Sequence, residues 1–100
     1  MSAAAPIQPR RSLIFTPGNS PEMFPKALTT GADIVTVDLE DAIAPQHKNE
    51  ARDKTLALFA NLPESARAAG GIECMVRINT LRSADGLKDL SAIIAAGTPP

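Results

Sequence analysis

The stretch that decides the fold is IVTVDLEDAIAP, residues 34–45. It begins as a continuous apolar run, which predicts a strand buried on both faces, as in a parallel sheet. The strand should end among three carboxylates, Asp38, Glu40 and Asp41. Burying such acids costs free energy unless a cation or hydrogen-bond donors compensate their charge. In α/β proteins the functional residues lie at this end of the parallel strands. The alternative is a solvated strand exit with a helix-capping acid.

Strands and helices alternate on both sides of this stretch. The predicted elements are strand 11–16, a helix after an N-cap at Ser20, strand 33–39, helix 47–62, strand 72–79, and a helix from a cap at Ser83 or Asp85 to Gly97. This order implies a parallel sheet with right-handed crossovers. Because such a short sheet has two unprotected edges, we expect these residues to be the first part of a larger α/β protein.

Periodicity assigns the faces of these elements. If the strands close into a barrel, the inward side chains are Thr36, Asp38, Glu40, Arg77 and Asn79. The helix 47–62 should bury Ala51, Thr55, Leu58, Phe59 and Leu62 and turn Lys48, Glu50, Arg52, Asp53 and Lys54 mostly outward. The last helix should bury Leu87, Leu90, Ile93 and Ile94.

Arg77 is the basic residue that this pattern brings to the acids. A guanidinium at a strand end is a good fork for a carboxylate or for a polarised carbonyl. The alternative is an internal salt bridge from Arg77 to Glu40 or Asp38 that only locks the end of the barrel, and both interpretations can hold together. The loop at residues 16–20 leads into a helix, so its backbone amides are available to an anion; the alternative is a simple turn. Lys26 would add positive charge one turn later; the alternative is a solvated helix lysine.

Composition narrows the class of protein. The chain has 100 residues, of which 44% are hydrophobic and 21% charged, with a net charge of −1, as in ordinary globular proteins. This balance gives no reason to expect nucleic acid or a membrane as partner. Cys74 is the single cysteine, so a reducing cytoplasm is the default and inert packing is favoured over catalysis. His47 is read as a surface or capping residue, and residues 1–10 as a disordered leader.

Three strings together resemble one known family. RSLIFTPGNSPEMFPKAL, GADIVTVDLEDAIAPQHKNEAR and VRIN are similar to the N-terminal part of citrate lyase β-subunit-like proteins, in the HpcH/HpaI aldolase superfamily that includes malyl-CoA lyases. The DLEDA–AP–K–AR string is the specific part. The resemblance implies a (β/α)8 TIM barrel of roughly three times this length, in which residues 11–100 supply the first three βα units of one domain.

The resemblance also implies an activity. Members are Mg²⁺-dependent carbon–carbon lyases of aldol or Claisen type, acting on a 3-hydroxyacyl-CoA such as citryl-CoA or malyl-CoA. Arg77 resembles the arginine that binds the substrate carbonyl or carboxylate, and Phe15 and Lys26 resemble contacts to CoA. The acids of the 34–45 stretch (Asp38, Glu40 and Asp41) resemble the family's acidic residues near the metal. In the family these acids act on the metal through water or orient the arginine. The direct metal ligands come from later strands and have no counterpart here.

The same resemblance leaves alternatives open. It implies a small-molecule substrate, acyl-CoA or oxoacid, and a homo-oligomer, either a trimer or a hexamer. Ser20 departs from several CoA-using members, which carry an arginine there that would hold a CoA phosphate. This leaves room for an aldolase acting on free 4-hydroxy-2-oxo acids. A third hypothesis is a non-catalytic α/β remnant that kept the acidic strand end for structure.

Overall fold

The computed structural model describes residues 10–63, 66 and 71–97. Strands β1 (Leu13–Pro17), β2 (Ile34–Asp38) and β3 (Glu73–Arg77) form a parallel sheet in that order. Helices α1 (Phe24–Ala27), α2 (Lys48–Ala60) and α3 (Ala84–Ala96) follow them, and 3₁₀ turns at Pro21–Met23 and Pro45–His47 precede the first two. The predicted alternation and parallel sheet are confirmed, with boundaries shifted by a few residues. The predicted leader lies outside the described residues except for Arg10.

Strand register separates the two faces of the sheet. Pro17 pairs with Asp38, and Asp38 pairs with Arg77, so these positions share one face. Val35 and Val37 lie on the other face, where they are fully buried under the helix layer. The helices therefore cover the aliphatic face, as predicted. The opposite face of β1 leaves Phe15 48% exposed.

Local signals explain where the helices begin and end. The Ser20 side chain makes no capping hydrogen bond, so a 3₁₀ turn precedes α1 instead of a capped helix. Ser83 does cap α3, because its Oγ accepts a hydrogen bond from the Gly86 amide at 3.0 Å. Gly97 ends α3 in the left-handed conformation, with φ of 71°. A side chain at Gly86 would overlap the Thr80 carbonyl, so only glycine fits there.

The buried stripe of α2 is confirmed, but one of its predicted outward residues is buried. Ala51 and Thr55 are buried, and Leu58, Phe59 and Leu62 pack against the core. Arg52, predicted to face outward, is only 7% exposed. Its Nε lies 2.7 Å from Oδ1 of Asp89, whose carboxylate is fully buried between α2 and α3. The prediction for Arg52 is wrong because a buried carboxylate compensates its charge.

The same ion pair overturns two further predictions. Because α3 meets α2 through Asp89, its predicted buried stripe is largely exposed. The exposed members are Leu87, Leu90 and Ile94. Asn79, predicted to point inward, is instead drawn to the helix layer: its amide nitrogens N and Nδ2 donate to Oδ2 of Asp89 at 3.0 and 2.6 Å.

Two reactive residue types take no part in the site described below. Cys74 is partly buried against the core, and burial raises the pKa of its thiol, with the charge of Glu73 adding to the shift. A raised pKa disfavours the nucleophilic thiolate. His47 is exposed on the 3₁₀ turn, with Nδ1 3.8 Å from a carboxylate oxygen of Glu50. Within the described residues, no helix has the length and apolar character needed to span a membrane.

Candidate active site

A bidentate ion pair joins the carboxyl ends of β2 and β3. Arg77 donates from Nε to Oδ1 of Asp38 at 2.9 Å and from Nη2 to Oδ2 at 2.7 Å. Asp38 is 2% exposed, whereas the Arg77 side chain is 36% exposed. The predicted convergence of Arg77 and the acids on one face is therefore observed. The pair uses the edge of the guanidinium formed by Nε and Nη2, and within the described residues no hydrogen bond or ion pair involves Nη1.

Asp38 also organises the loop that follows β2. Its Oδ1 accepts a hydrogen bond from the Glu40 amide at 2.9 Å, and Oδ2 accepts one from the Ala42 amide at 3.0 Å. Burial raises the pKa of Asp38, but the hydrogen bonds from Arg77 and these two amides outweigh burial and leave the pKa below its usual value. Asp38 is thus a charged anchor for the arginine and the loop, with its acceptor capacity already occupied.

Phe15 supports the guanidinium from β1. The Arg77 Cζ lies 4.5 Å from the centroid of the Phe15 ring, which is a cation–π distance. The hydrogen bond to Asp38 is the main cause that raises the pKa of Arg77, and the charges of Asp41 and Glu40 raise it further. The guanidinium is therefore permanently charged and is held on one face by an aromatic ring and on one edge by a carboxylate.

Two further acids surround the same guanidinium. Oε1 of Glu40 lies 3.6 Å from Nε of Arg77, and Oδ2 of Asp41 lies 3.9 Å from its Nη2. Glu40 is partly exposed and Asp41 is largely exposed, with side-chain exposures of 37% and 80%. Three carboxylates are therefore grouped at this edge with two cationic side chains, Arg77 and Lys48, whose ammonium binds the carbonyls of Leu39 and Glu40. The surplus of negative charge favours a cation at this edge.

The structure separates the other predicted contacts from this cluster. Within the described residues, no hydrogen bond or ion pair links Ser20 or Lys26 to Arg77 or to its acids. Lys26 belongs to α1, which packs on the opposite face of the sheet. Thr36 lies on the same face as Asp38, buried, and its Oγ1 has no hydrogen-bond partner in the described part of the chain.

The oxygen donors of this cluster are suited to lie near a Mg²⁺ ion, but they do not make up a complete coordination shell. Glu40 and Asp41 supply hard oxygen donors of the kind that Mg²⁺ prefers. However, no group of three or more His, Cys, Asp or Glu residues in the described ranges is placed to hold a metal ion. These two acids have the chemistry to hold metal-bound water or to contribute a ligand, but the described residues do not form a complete metal site.

Sequence reasoning missed Lys48, Arg52 and Asp89 as residues that support the site. Lys48 was predicted to face outward, yet its ammonium donates to the carbonyls of Leu39 and Glu40 at 3.0 and 2.7 Å. Its position in the first turn of α2, directly after a short loop, is the signal that could have revealed this contact. No local signal marks the partnership of Arg52 and Asp89, which are 37 residues apart.

Comparisons with known proteins identify the family of the chain. The model of the HpcH/HpaI aldolase/citrate lyase family matches residues 11–99. The chain is 36% identical over 88 residues to citrate lyase subunit beta of Haemophilus influenzae, covering 88% of this chain and 28% of that protein. It is 31% identical over 94 residues to L-malyl-CoA/beta-methylmalyl-CoA lyase of Rhodobacter capsulatus, covering 94% and 28%. The chain thus spans less than a third of these relatives' length.

Solved structures give the same result. CitE of Mycobacterium tuberculosis, crystallised with magnesium, acetoacetate and coenzyme A, matches with a TM-score of 0.64 and 33% identity, covering 85% of this chain and 29% of that one. RipC of Yersinia pestis matches with a TM-score of 0.61 and 29% identity, covering 90% and 31%. The family match over most of the chain, together with these relatives, shows that the chain belongs to the HpcH/HpaI aldolase/citrate lyase family.

Proposed function

We propose that the full-length protein is a Mg²⁺-dependent carbon–carbon lyase of aldol or Claisen type, acting on a 3-hydroxyacyl-CoA such as citryl-CoA or malyl-CoA. The observation that carries the proposal is the fixed Arg77 guanidinium, paired to buried Asp38 at 2.7 Å, with two accessible acids beside it at the carboxyl edge of a parallel sheet. Citrate lyase β and malyl-CoA lyase as relatives, and a CitE complex with magnesium and coenzyme A, support the substrate class and the ion.

The proposed role of Arg77 is to stabilise negative charge on a substrate oxygen. Cleavage of the bond next to a carbonyl moves an electron pair toward that oxygen, so a fixed cation there lowers the barrier. Asp38 and Phe15 hold the guanidinium before substrate arrives, and in this proposal its Nη1 end binds the substrate oxygen. This preorganisation avoids reorienting the donor during the reaction.

The proposed role of Glu40 and Asp41 is to make the edge favourable for a divalent cation. An oxoacid anion beside these carboxylates would be repelled unless positive charge compensates them. Mg²⁺, when bound, supplies that charge and polarises the oxygens of the substrate. Asp38 is excluded from direct coordination in this proposal because its oxygens are already occupied by Arg77 and by two loop amides.

The proposed architecture is a (β/α)8 TIM barrel in which the present elements form the first three βα units. Support comes from the sheet face that carries the ion pair, where Leu13 and Phe15 of β1 are exposed and Phe15 lies beside the guanidinium. In a barrel this face lines the interior and the helices form the outer ring. A cytoplasmic homo-oligomer, a trimer or a hexamer, belongs to the proposal on the family resemblance alone.

An aldolase acting on free 4-hydroxy-2-oxo acids is the second candidate. It is favoured by Ser20, which offers no positive charge for a CoA phosphate, and by the placement of Lys26 in the helix layer. The Arg77 cluster serves either substrate, because both reactions develop charge on an oxygen next to the bond that breaks.

Substrate comparison tests both candidates. The purified full-length protein is incubated with citryl-CoA, malyl-CoA or a free 4-hydroxy-2-oxo acid, with Mg²⁺ or with excess EDTA. Release of acetyl-CoA with oxaloacetate or glyoxylate, lost in EDTA, is the expected result. Cleavage of only the free acid selects the second candidate. Absence of cleavage with every substrate refutes lyase activity and favours the non-catalytic hypothesis.

A further inference from the structure

One part of the DLEDA–AP–K–AR string has no role in the proposed chemistry: its lysine and arginine, Lys48 and Arg52. Both belong to α2, one helical turn apart, and therefore lie on the same side of the helix. Neither contacts the guanidinium of Arg77. Each instead reaches the chain that leaves one strand of the candidate site.

The first contact runs from Lys48 to the end of β2. Its Nζ donates to the carbonyl of Leu39 at 3.0 Å and to that of Glu40 at 2.7 Å. The amide of Glu40 is already bonded to Asp38 at 2.9 Å. Glu40 is therefore held through both its amide and its carbonyl, which fixes the base of the side chain that flanks the guanidinium.

The second contact runs from Arg52 to the end of β3. Nε of Arg52 lies 2.7 Å from Oδ1 of Asp89, and Oδ2 of Asp89 accepts from N and Nδ2 of Asn79 at 3.0 and 2.6 Å. Arg52 and Asp89 are buried, with exposures of 7% and 0%. Asn79 follows Arg77 by two residues, so this network fixes the chain that emerges from β3.

The first contact is linked to the backbone of Arg77 through Leu39. The Leu39 amide donates to the Arg77 carbonyl at 2.9 Å, and the Leu39 carbonyl accepts from Lys48. We propose that α2 is a two-point clamp in which Lys48 and Arg52 are positioning residues, setting the distance between Glu40 and Arg77 in the active site. The reaction that the clamp serves rests on the proposed function, whereas its geometry does not.

A role in positioning explains these charges better than a role in stability alone. A buried ion pair such as Arg52–Asp89 is weak evidence for stabilisation, because desolvation offsets its Coulomb energy. Its hydrogen bonds are directional, however: Arg52 also donates from Nη1 to Asn49 at 2.8 Å and from Nη2 to Asp85 at 3.3 Å, so its guanidinium is fixed at three points. An ammonium that binds two adjacent carbonyls likewise restrains the backbone at one place, which a hydrophobic contact does not do.

The Lys48 contact is tested with Lys48→Met and Lys48→Arg in the full-length protein. Lys88→Met is the matched control, since Lys88 is an exposed lysine on α3. Amide hydrogen exchange at Glu40 and Ala42 reports the loop, urea unfolding reports global stability, and kcat and KM are measured with malyl-CoA and Mg²⁺.

For Lys48→Met, the clamp predicts exchange at Glu40 and Ala42 about tenfold faster than in wild type, since local opening becomes easier. It predicts a kcat lower by about 10- to 100-fold, with KM changed less than about threefold. Lys48→Arg should recover most of the activity, and the control variant should match wild type in both readouts. Unchanged exchange in Lys48→Met overturns the clamp. Faster exchange with unchanged kcat overturns the positioning role.

The Arg52 contact is tested with Asp89→Asn against Asp53→Asn, an exposed position on α2. The clamp predicts that Asp89→Asn lowers kcat while Asp53→Asn does not. If Asp89→Asn fails to fold, the Lys48 variants decide. If the wild-type protein cleaves none of the substrates, the proposed function fails and exchange alone decides: faster exchange in Lys48→Met supports the clamp, and unchanged exchange overturns it.

Discussion

Replacing Asp38 with asparagine should destabilise the protein strongly without changing the size of the side chain. The carboxylate is 2% exposed and accepts four hydrogen bonds, two from Arg77 and one each from the amides of Glu40 and Ala42. Asparagine keeps one acceptor oxygen and presents an NH₂ group to the other two donors. The variant therefore loses two hydrogen bonds and leaves the guanidinium without its buried counter-charge.

The magnitude follows from these contacts. Removing one partner of a buried ion pair costs about 3–5 kcal/mol. Arg77 is partly exposed and can turn toward Glu40 or Asp41, at 3.6 and 3.9 Å, so we expect the lower end, about 3 kcal/mol in the free energy of unfolding. Urea unfolding at neutral pH measures the loss. Asp53→Asn, an exposed control, should change stability by less than about 0.5 kcal/mol.

The pH dependence gives a second check on the same substitution. The folded state lowers the pKa of Asp38, so the stabilisation is fully present above the unfolded pKa of about 3.9 and is lost as pH falls through the folded pKa. The difference between wild type and Asp38→Asn should therefore shrink in acid. A loss below about 1 kcal/mol at neutral pH, or a difference that grows in acid, would refute the account of Asp38 as a charged anchor.

Three other substitutions test the remaining contacts. Gly86→Ala, which forces a methyl group into a backbone carbonyl, should lower the free energy of unfolding by more than Gly97→Ala. Gly97→Ala strains only the left-handed backbone conformation and should cost about 1 kcal/mol. Equal decreases in the melting temperature of the two variants would contradict this order. Ser83→Ala should lose about 1 kcal/mol of unfolding free energy through its helix cap, while Ser91→Ala on the same helix should lose little. Phe15→Leu removes the ring beneath the guanidinium and should lower kcat/KM by about 2- to 5-fold; an unchanged value would remove the ring from the site.

The sequence was sufficient to predict the elements and the main cluster because their signals are local. A period of two placed Asp38 and Arg77 on one face, and both groups are observed there. Ser83 and Gly97 bracket α3 because a hydroxyl cap and a left-handed glycine each act within one turn. Such features depend on neighbours along the chain, so pattern analysis finds them.

The wrong predictions concern side chains whose position depends on a partner far away in the sequence. Arg52 looks like a surface residue because burying an arginine is unfavourable, but Asp89 on another helix compensates its charge. The same pairing turned Asn79 toward the helix layer and left Leu87 exposed. Apolar periodicity assigned the buried face of α3 from its leucines and isoleucines alone, and it gave no sign that the helix packs through the carboxylate of Asp89.

In the proposed reaction, the guanidinium of Arg77 stabilises charge on a substrate oxygen. The most direct test is kcat/KM for the full-length protein with malyl-CoA and Mg²⁺, comparing Arg77→Ala and Arg77→Lys with Arg82→Ala in the adjacent exposed loop. We expect both Arg77 variants to fold and to lose about 100- to 1,000-fold in kcat/KM, while Arg82→Ala retains wild-type activity. Folded Arg77 variants that turn over within a few-fold of wild type would contradict the account and leave the ion pair a purely structural role.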